Sequence, residues 1–120
     1  PETLFVVVTA TPLAKPEPNK VKESIKRILD REDTVDRVGT RARAFNNWLQ
    51  DVEKGWLKGY PLKNIVIYDY NNVLTGHGRS DWSLYPTGDG TDSHPSREGN
   101  SIATKEFVPF LNRSVHRIGW

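Results

Sequence analysis

Cysteine and methionine are both missing from these 120 residues. Without cysteine there is no disulfide frame and no thiolate-ligated zinc site, so composition leaves the redox compartment open. Long apolar stretches are missing too: the run Leu4-Phe5-Val6-Val7-Val8 falls far short of the about 20 residues that a membrane-spanning helix needs. Charge of one sign is not in excess either. Seventeen Lys and Arg are interspersed with fifteen Asp and Glu for a net charge of +2, which gives neither a basic stripe for nucleic acid nor an acidic tail. Internal repeats and low-complexity segments are absent. A chain that lacks methionine and opens on Pro1 is expected to be matured by cleavage or to be one piece of a longer polypeptide, and no signal-peptide pattern remains at its front.

What is present fits one domain with a modest core. Leu4 to Ala10 is a short, β-branched apolar run ended by Thr11-Pro12, the pattern of a strand buried on both faces of a parallel sheet. After a proline-rich connector, Asn19 to Leu29 reads as a helix with Val21, Ile25, Ile28 and Leu29 on one face. A second helix is expected from Asp36 or Thr40, with Ala42, Phe45, Trp48, Leu49, Val52 and Trp56 at helical spacing and Gly59 near its end. Asn64 to Asp69 follows as a second buried strand, so the order strand, helix, helix, strand predicts a parallel crossover. Tyr70 to Ser96 reads as a long irregular loop, and loops of that length are often functional. A last helix is expected from Ser96–Gly99 to about Arg117, burying Ile102, Phe107, Phe110, Leu111, Val115 and Ile118 and kinked at Pro109. Two parallel strands cannot hide both faces of a sheet with helices to spare. The expected architecture is the trailing half of a doubly wound α/β sheet.

The most informative stretch is Gly88-Asp89-Gly90-Thr91-Asp92-Ser93-His94-Pro95-Ser96-Arg97-Glu98-Gly99-Asn100, which gathers two aspartates, a histidine and a helix start on one loop. An imidazole held at Nδ1 presents Nε2 to a reacting group, the geometry of a general base. Asp92 or Asp89 is its candidate orienting carboxylate. The plainer reading makes His94 a polar residue near a helix cap, beside the turn-forming Pro95. No partner nucleophile is evident: Ser24 falls on a solvated helix, Ser80 and Ser83 in the loop, and Ser93 and Ser96 beside the base itself.

Asp92-Ser93-His94-Pro95-Ser96-x-x-Gly99-Asn100, followed by an amphipathic terminal helix, resembles the final sequence block of SGNH (GDSL-type) hydrolases. Phe5 to Leu13 is similar to the strand that follows that family's asparagine block, and Arg43 to Leu49 with Asn64 to Asp69 resembles its penultimate helix and last strand. The resemblance spans nearly the whole chain and implies a three-layer α/β/α, flavodoxin-like fold, of which residues 1–120 are a single partial domain, the C-terminal portion. It implies ester hydrolysis without a cofactor, on acylated carbohydrates or lipids. It further implies that His94 is the catalytic base and that an aspartate holds its tautomer. The family's aspartate most often stands three residues before the histidine, which here is Thr91, so Asp92 is the expected orienter and Asp89 the reserve. The nucleophile, oxyanion and Gly-x-Asn-Asp blocks of the family all precede the strand at Leu4–Ala10. This chain alone is therefore expected to be inert, its partner being the N-terminal part of the same domain.

Trp82, Tyr85 and Tyr70 are candidates for lining an apolar or sugar-stacking pocket beside His94; their structural alternative is to pack the loop onto the sheet. A non-catalytic α/β module that binds a partner or glycan through those aromatics is the alternative function. A third reading starts from Ile65 to Thr75, which resembles the first motif of haloacid-dehalogenase-type phosphatases, with Asp69 as nucleophile but Asn71 where a second acid belongs. Asp89, Asp92, His77 and His94 lack a spacing that fixes a metal geometry. His116 suits the carboxyl end of the last helix, and Trp48, Trp56 and Trp120 read as packing residues.

Overall fold

The computed structural model describes residues 2–16 and 35–119. The helix expected at Asn19–Leu29 and Trp120 lie outside them. Among the described residues the elements are β1 (Phe5–Val8), α1 (Val35–Gln50), β2 (Ile65–Tyr68), α2 (Tyr70–Leu74), β3 (Pro86–Thr87), β4 (Asp92–Pro95) and α3 (Arg97–Arg117).

β1 and β2 pair in parallel, with Phe5 opposite Ile65 and Val8 opposite Tyr68. This small α/β unit thus has the short parallel sheet and the helices that the apolar runs predicted. The core forms where α3 crosses β2. Tyr68, Val73 and Ala103 are buried, and Val6, Tyr70, Ile102, Phe107 and Phe110 pack around them. Phe107 meets Tyr68 edge to face with ring centroids 5.0 Å apart, an arrangement that adds about 0.5–1.5 kcal/mol to area burial. The Tyr68 hydroxyl donates to the Ala103 carbonyl at 2.6 Å, so the ring is buried without an unpaired polar tip.

Ser96 caps α3, its side chain accepting the Gly99 N–H at 3.2 Å, with Glu98 in the first turn and His116 and Arg117 in the last. That charge order suits the helix dipole. Gly99 is required for contact: a Cβ there would stand 2.7 Å from the Tyr85 Cβ. α3 continues through Pro109, whose ring removes the N–H that the Lys105 carbonyl would otherwise accept.

Four expectations are corrected. β1 is not buried on both faces: Phe5 and Val8 are 54% and 51% exposed, and β2 is its one strand neighbour among the described residues. The second helix ends at Gln50 rather than near Gly59. Asp51 accepts the N–H groups of Glu53 and Lys54 and starts a run of turns, and Trp56 reaches back to the Leu49 carbonyl through its indole N–H. The buried side of α1 is also not its aromatic side. Gly39 and Asn46 are buried, whereas Phe45 and Trp48, stacked at 5.9 Å, are 56% and 45% exposed. What draws the polar side of α1 inward is an ion pair of Arg43 with Asp81 at 2.6 Å, a further bond from Arg43 to the Ser80 carbonyl, and a bond from Gln50 Nε2 to Asp69 Oδ2 at 2.6 Å.

Finally, Tyr70–Ser96 is more ordered than a loop. It holds α2 and an antiparallel hairpin, β3–β4, turned through Gly88 and Gly90, both at positive φ.

Candidate functional site

The hairpin is fastened to the carboxyl ends of the parallel strands. The Ala14 N–H, in the connector that leaves β1, donates to Ser93 Oγ at 2.9 Å, and the Ser83 N–H donates to the Leu13 carbonyl at 2.8 Å. From the β2 side, the Leu84 N–H reaches the Leu74 carbonyl at 2.9 Å. These bonds set β4 at the rim where open α/β sheets collect ligands.

On β4, the His94 ring Nδ1 lies 2.6 Å from Asp92 Oδ1, and the same oxygen accepts the His94 backbone N–H at 2.9 Å. A carboxylate at Nδ1 favours the tautomer protonated there and leaves the Nε2 lone pair outward. The His94 backbone N–H above all, then its ring and the Thr87 hydroxyl, hold the Asp92 carboxyl below the usual carboxylate range against a smaller opposing effect of burial. The imidazole is 87% exposed and Asp92 is 50% exposed. Asp89 is engaged in the hairpin turn, accepting the Thr91 N–H at 3.1 Å and its hydroxyl at 2.6 Å. Of the two aspartates weighed from the sequence, Asp92 is the one against His94 Nδ1.

The three aromatics are not gathered into one wall. Tyr70 lines an open, mostly apolar groove of about 250 Å³ with Val8, Tyr68, Asn100, Ala103, Thr104 and Phe107. Its hydroxyl donates to Asn100 Oδ1 at 2.9 Å, and burial pushes that hydroxyl's pKa up. Asn100 in turn donates to the Pro95 carbonyl at 3.2 Å, so this groove abuts the strand that carries His94. Tyr85 packs against Gly99 under the start of α3, its carbonyl accepting the Ser96 N–H at 2.8 Å. Trp82 is half-buried beside Asp81, in the segment that Arg43 ties to α1.

Asp69 spends both carboxylate oxygens on structure. Oδ1 accepts the Asn72 N–H at 3.0 Å, as the cap of α2, and the Thr9 hydroxyl at 3.2 Å, while Oδ2 takes the Gln50 amide. Asn71 is buried, its amide on the Ala10 carbonyl at 3.3 Å and its N–H on the Thr9 hydroxyl at 2.9 Å. His77, at a φ of 57°, bridges from Asn72 to Glu106 of α3, 3.0 Å from its carboxylate. Among the described residues no group of three or more His, Asp or Glu side chains could hold a metal ion. None of their helices is long and apolar enough to cross a membrane.

Sequence reasoning missed Thr87 and the anchoring role of Ser93. The signal for the hairpin that carries them was present, since Asp89-Gly90 between Pro86-Thr87 and Asp92-Ser93-His94 is a hairpin turn sequence, but their bonds leave no mark along the chain.

No protein-family model, curated protein or solved structure matches this chain.

Proposed function

We propose that this chain is the C-terminal portion of an SGNH-type three-layer α/β/α domain and supplies the base of a serine ester hydrolase. In this reading, Nε2 of His94 takes the proton of a serine hydroxyl, the alkoxide oxygen attacks the ester carbonyl, and the imidazolium returns the proton to the leaving alcohol. Asp92 keeps Nδ1 protonated and offsets the positive charge that forms on the ring. The serine and the oxyanion donors come from polypeptide outside residues 1–120, packed along the β1 edge that no described strand covers and over the groove at Val8, Tyr70 and Phe107.

The observation that carries the reading is the contact of 2.6 Å between Asp92 and Nδ1 on a ring whose other side is open to solvent. Supporting it are the sequence block from Asp92 to Asn100 and an apolar β1 edge of the kind that parallel sheets cover. Acylated carbohydrates or lipids are the substrate class that the resemblance implies.

Two results test it. The gene is expected to encode a Gly-Asp-Ser-Leu-like block upstream of Pro1. The polypeptide that holds both parts is expected to hydrolyse p-nitrophenyl acetate, and His94→Ala to lower kcat on the order of 10⁴-fold. Hydrolysis that survives His94→Ala, or a full polypeptide that hydrolyses no ester, would overturn it.

A further inference from the structure

The hairpin that bears His94 is asymmetric. Pro86 pairs with Pro95 and Thr87 with Asp92, so Ser93 and His94 are extra length on β4, with no opposing residues on β3. A bulge of this kind bends its strand and re-aims a side chain, and it takes backbone groups out of the ladder. Here bonds from specific places hold the two extra residues. The Thr87 hydroxyl donates to the His94 carbonyl at 3.1 Å, the His94 N–H goes to Asp92, and Ser93 Oγ is held by Ala14. Thr87 is also the cross-strand neighbour of Asp92. One residue of β3 therefore bonds the carbonyl of the base and stands opposite its orienter.

We propose that Thr87 is a positioning residue for the His94–Asp92 pair: from the opposite strand its hydroxyl closes the bulge at the His94 carbonyl and so holds the His94 backbone where Nδ1 meets the carboxylate, keeping the Nε2 lone pair available. Its catalytic meaning rests on the reading of His94 as a base, whereas its geometric effect does not. Valine replaces the hydroxyl with a methyl of similar size, so Thr87→Val removes the bond while leaving the β-branched shape that suits a strand. Serine retains the hydroxyl.

The test is ¹⁵N NMR of the His94 imidazole at a pH where the ring is neutral, with Asp92→Asn as the reference for a lost orienter. The unsubstituted protein is expected to hold the Nδ1–H tautomer. Thr87→Val is expected to shift population toward the Nε2–H tautomer and to raise the Asp92 carboxyl titration toward its ordinary value; Thr87→Ser is expected to restore both. A merely structural role would not be rescued in the tautomer signal by the hydroxyl alone. In the ester-hydrolysing polypeptide, Thr87→Val is expected to lower kcat by roughly 10- to 100-fold with little change in KM, the scale of a slightly misplaced catalytic group. A tautomer that ignores Thr87→Val overturns the proposal, even where hydrolysis depends on His94. A tautomer that responds, in a protein that hydrolyses nothing, supports the positioning role and sinks the esterase reading instead.

Discussion

On the β2 side of the sheet, Tyr68 is buried under Phe107 and Phe110 with its hydroxyl bonded to Ala103, and the neighbouring Asp69 spends both its oxygens on bonds. On the β1 and α1 side, Phe5, Val8, Phe45 and Trp48 face solvent, while Asn46, only 2% exposed, has an Oδ1 with no partner among the described residues. The same chain thus finishes one region and leaves the other with its apolar and polar groups in the wrong order. The finished region is built largely from residues 64–114, joined by Val6, Thr9 and Gln50; the other presents apolar surface of the kind that further polypeptide covers. Under the proposed function that cover is the part of the domain that brings the serine.

Substitutions that probe each side sharpen this contrast. Phe107→Ala is expected to have the largest effect on stability, about 2–3 kcal/mol, because it opens a hole against Tyr68. Gly99→Ala follows at about 1–2 kcal/mol: the added methyl must displace Tyr85 or α3, and helix propensity offsets only part of that strain. Tyr68→Phe removes the hydroxyl's bond to the Ala103 carbonyl and is expected to cost about 1 kcal/mol. Phe45→Ala, on the open side, is expected to change stability by less than about 0.5 kcal/mol. Urea unfolding of the four variants ranks them, and a Phe45→Ala loss as large as that of Phe107→Ala would break the contrast.

Tyr68 also gives the finished side a pH signature. Burial first, and then the nearby Glu106, push its hydroxyl up to about 12 from an ordinary value of 10.0. The folded state therefore disfavours the phenolate, so its contribution to stability is fully present below pH 10.0 and is lost as pH rises toward about 12. Alkaline unfolding curves are expected to steepen in that window, and to steepen less in Tyr68→Phe.

The elements that sequence revealed were those whose pattern is local. Apolar runs placed both strands, and the start of α3 at Arg97 falls inside the expected window Ser96–Gly99. The face of α1 was misread because Phe45 and Trp48 at helical spacing outweighed Arg43 and Gln50, whose pull comes from Asp81 and Asp69, distant in sequence. The hairpin was hidden because Gly, Asp and Ser between residues 70 and 96 suit irregular backbone as well as paired strands, although Asp89-Gly90 is turn chemistry for the latter. In the candidate site, Asp92 and His94 were legible as a pair two residues apart. Thr87 was not, because its part depends on a bulge in the register, which no spacing along the chain displays.

The proposal that His94 serves a serine from outside these residues is tested most directly by a fluorophosphonate, which labels a serine only when a base activates it. Treated with this reagent, the full polypeptide is expected to carry one covalent adduct, on a serine outside residues 1–120, with the labelling rate collapsing in His94→Gln. An adduct that forms at the same rate without the imidazole, or no adduct at all, would contradict the account.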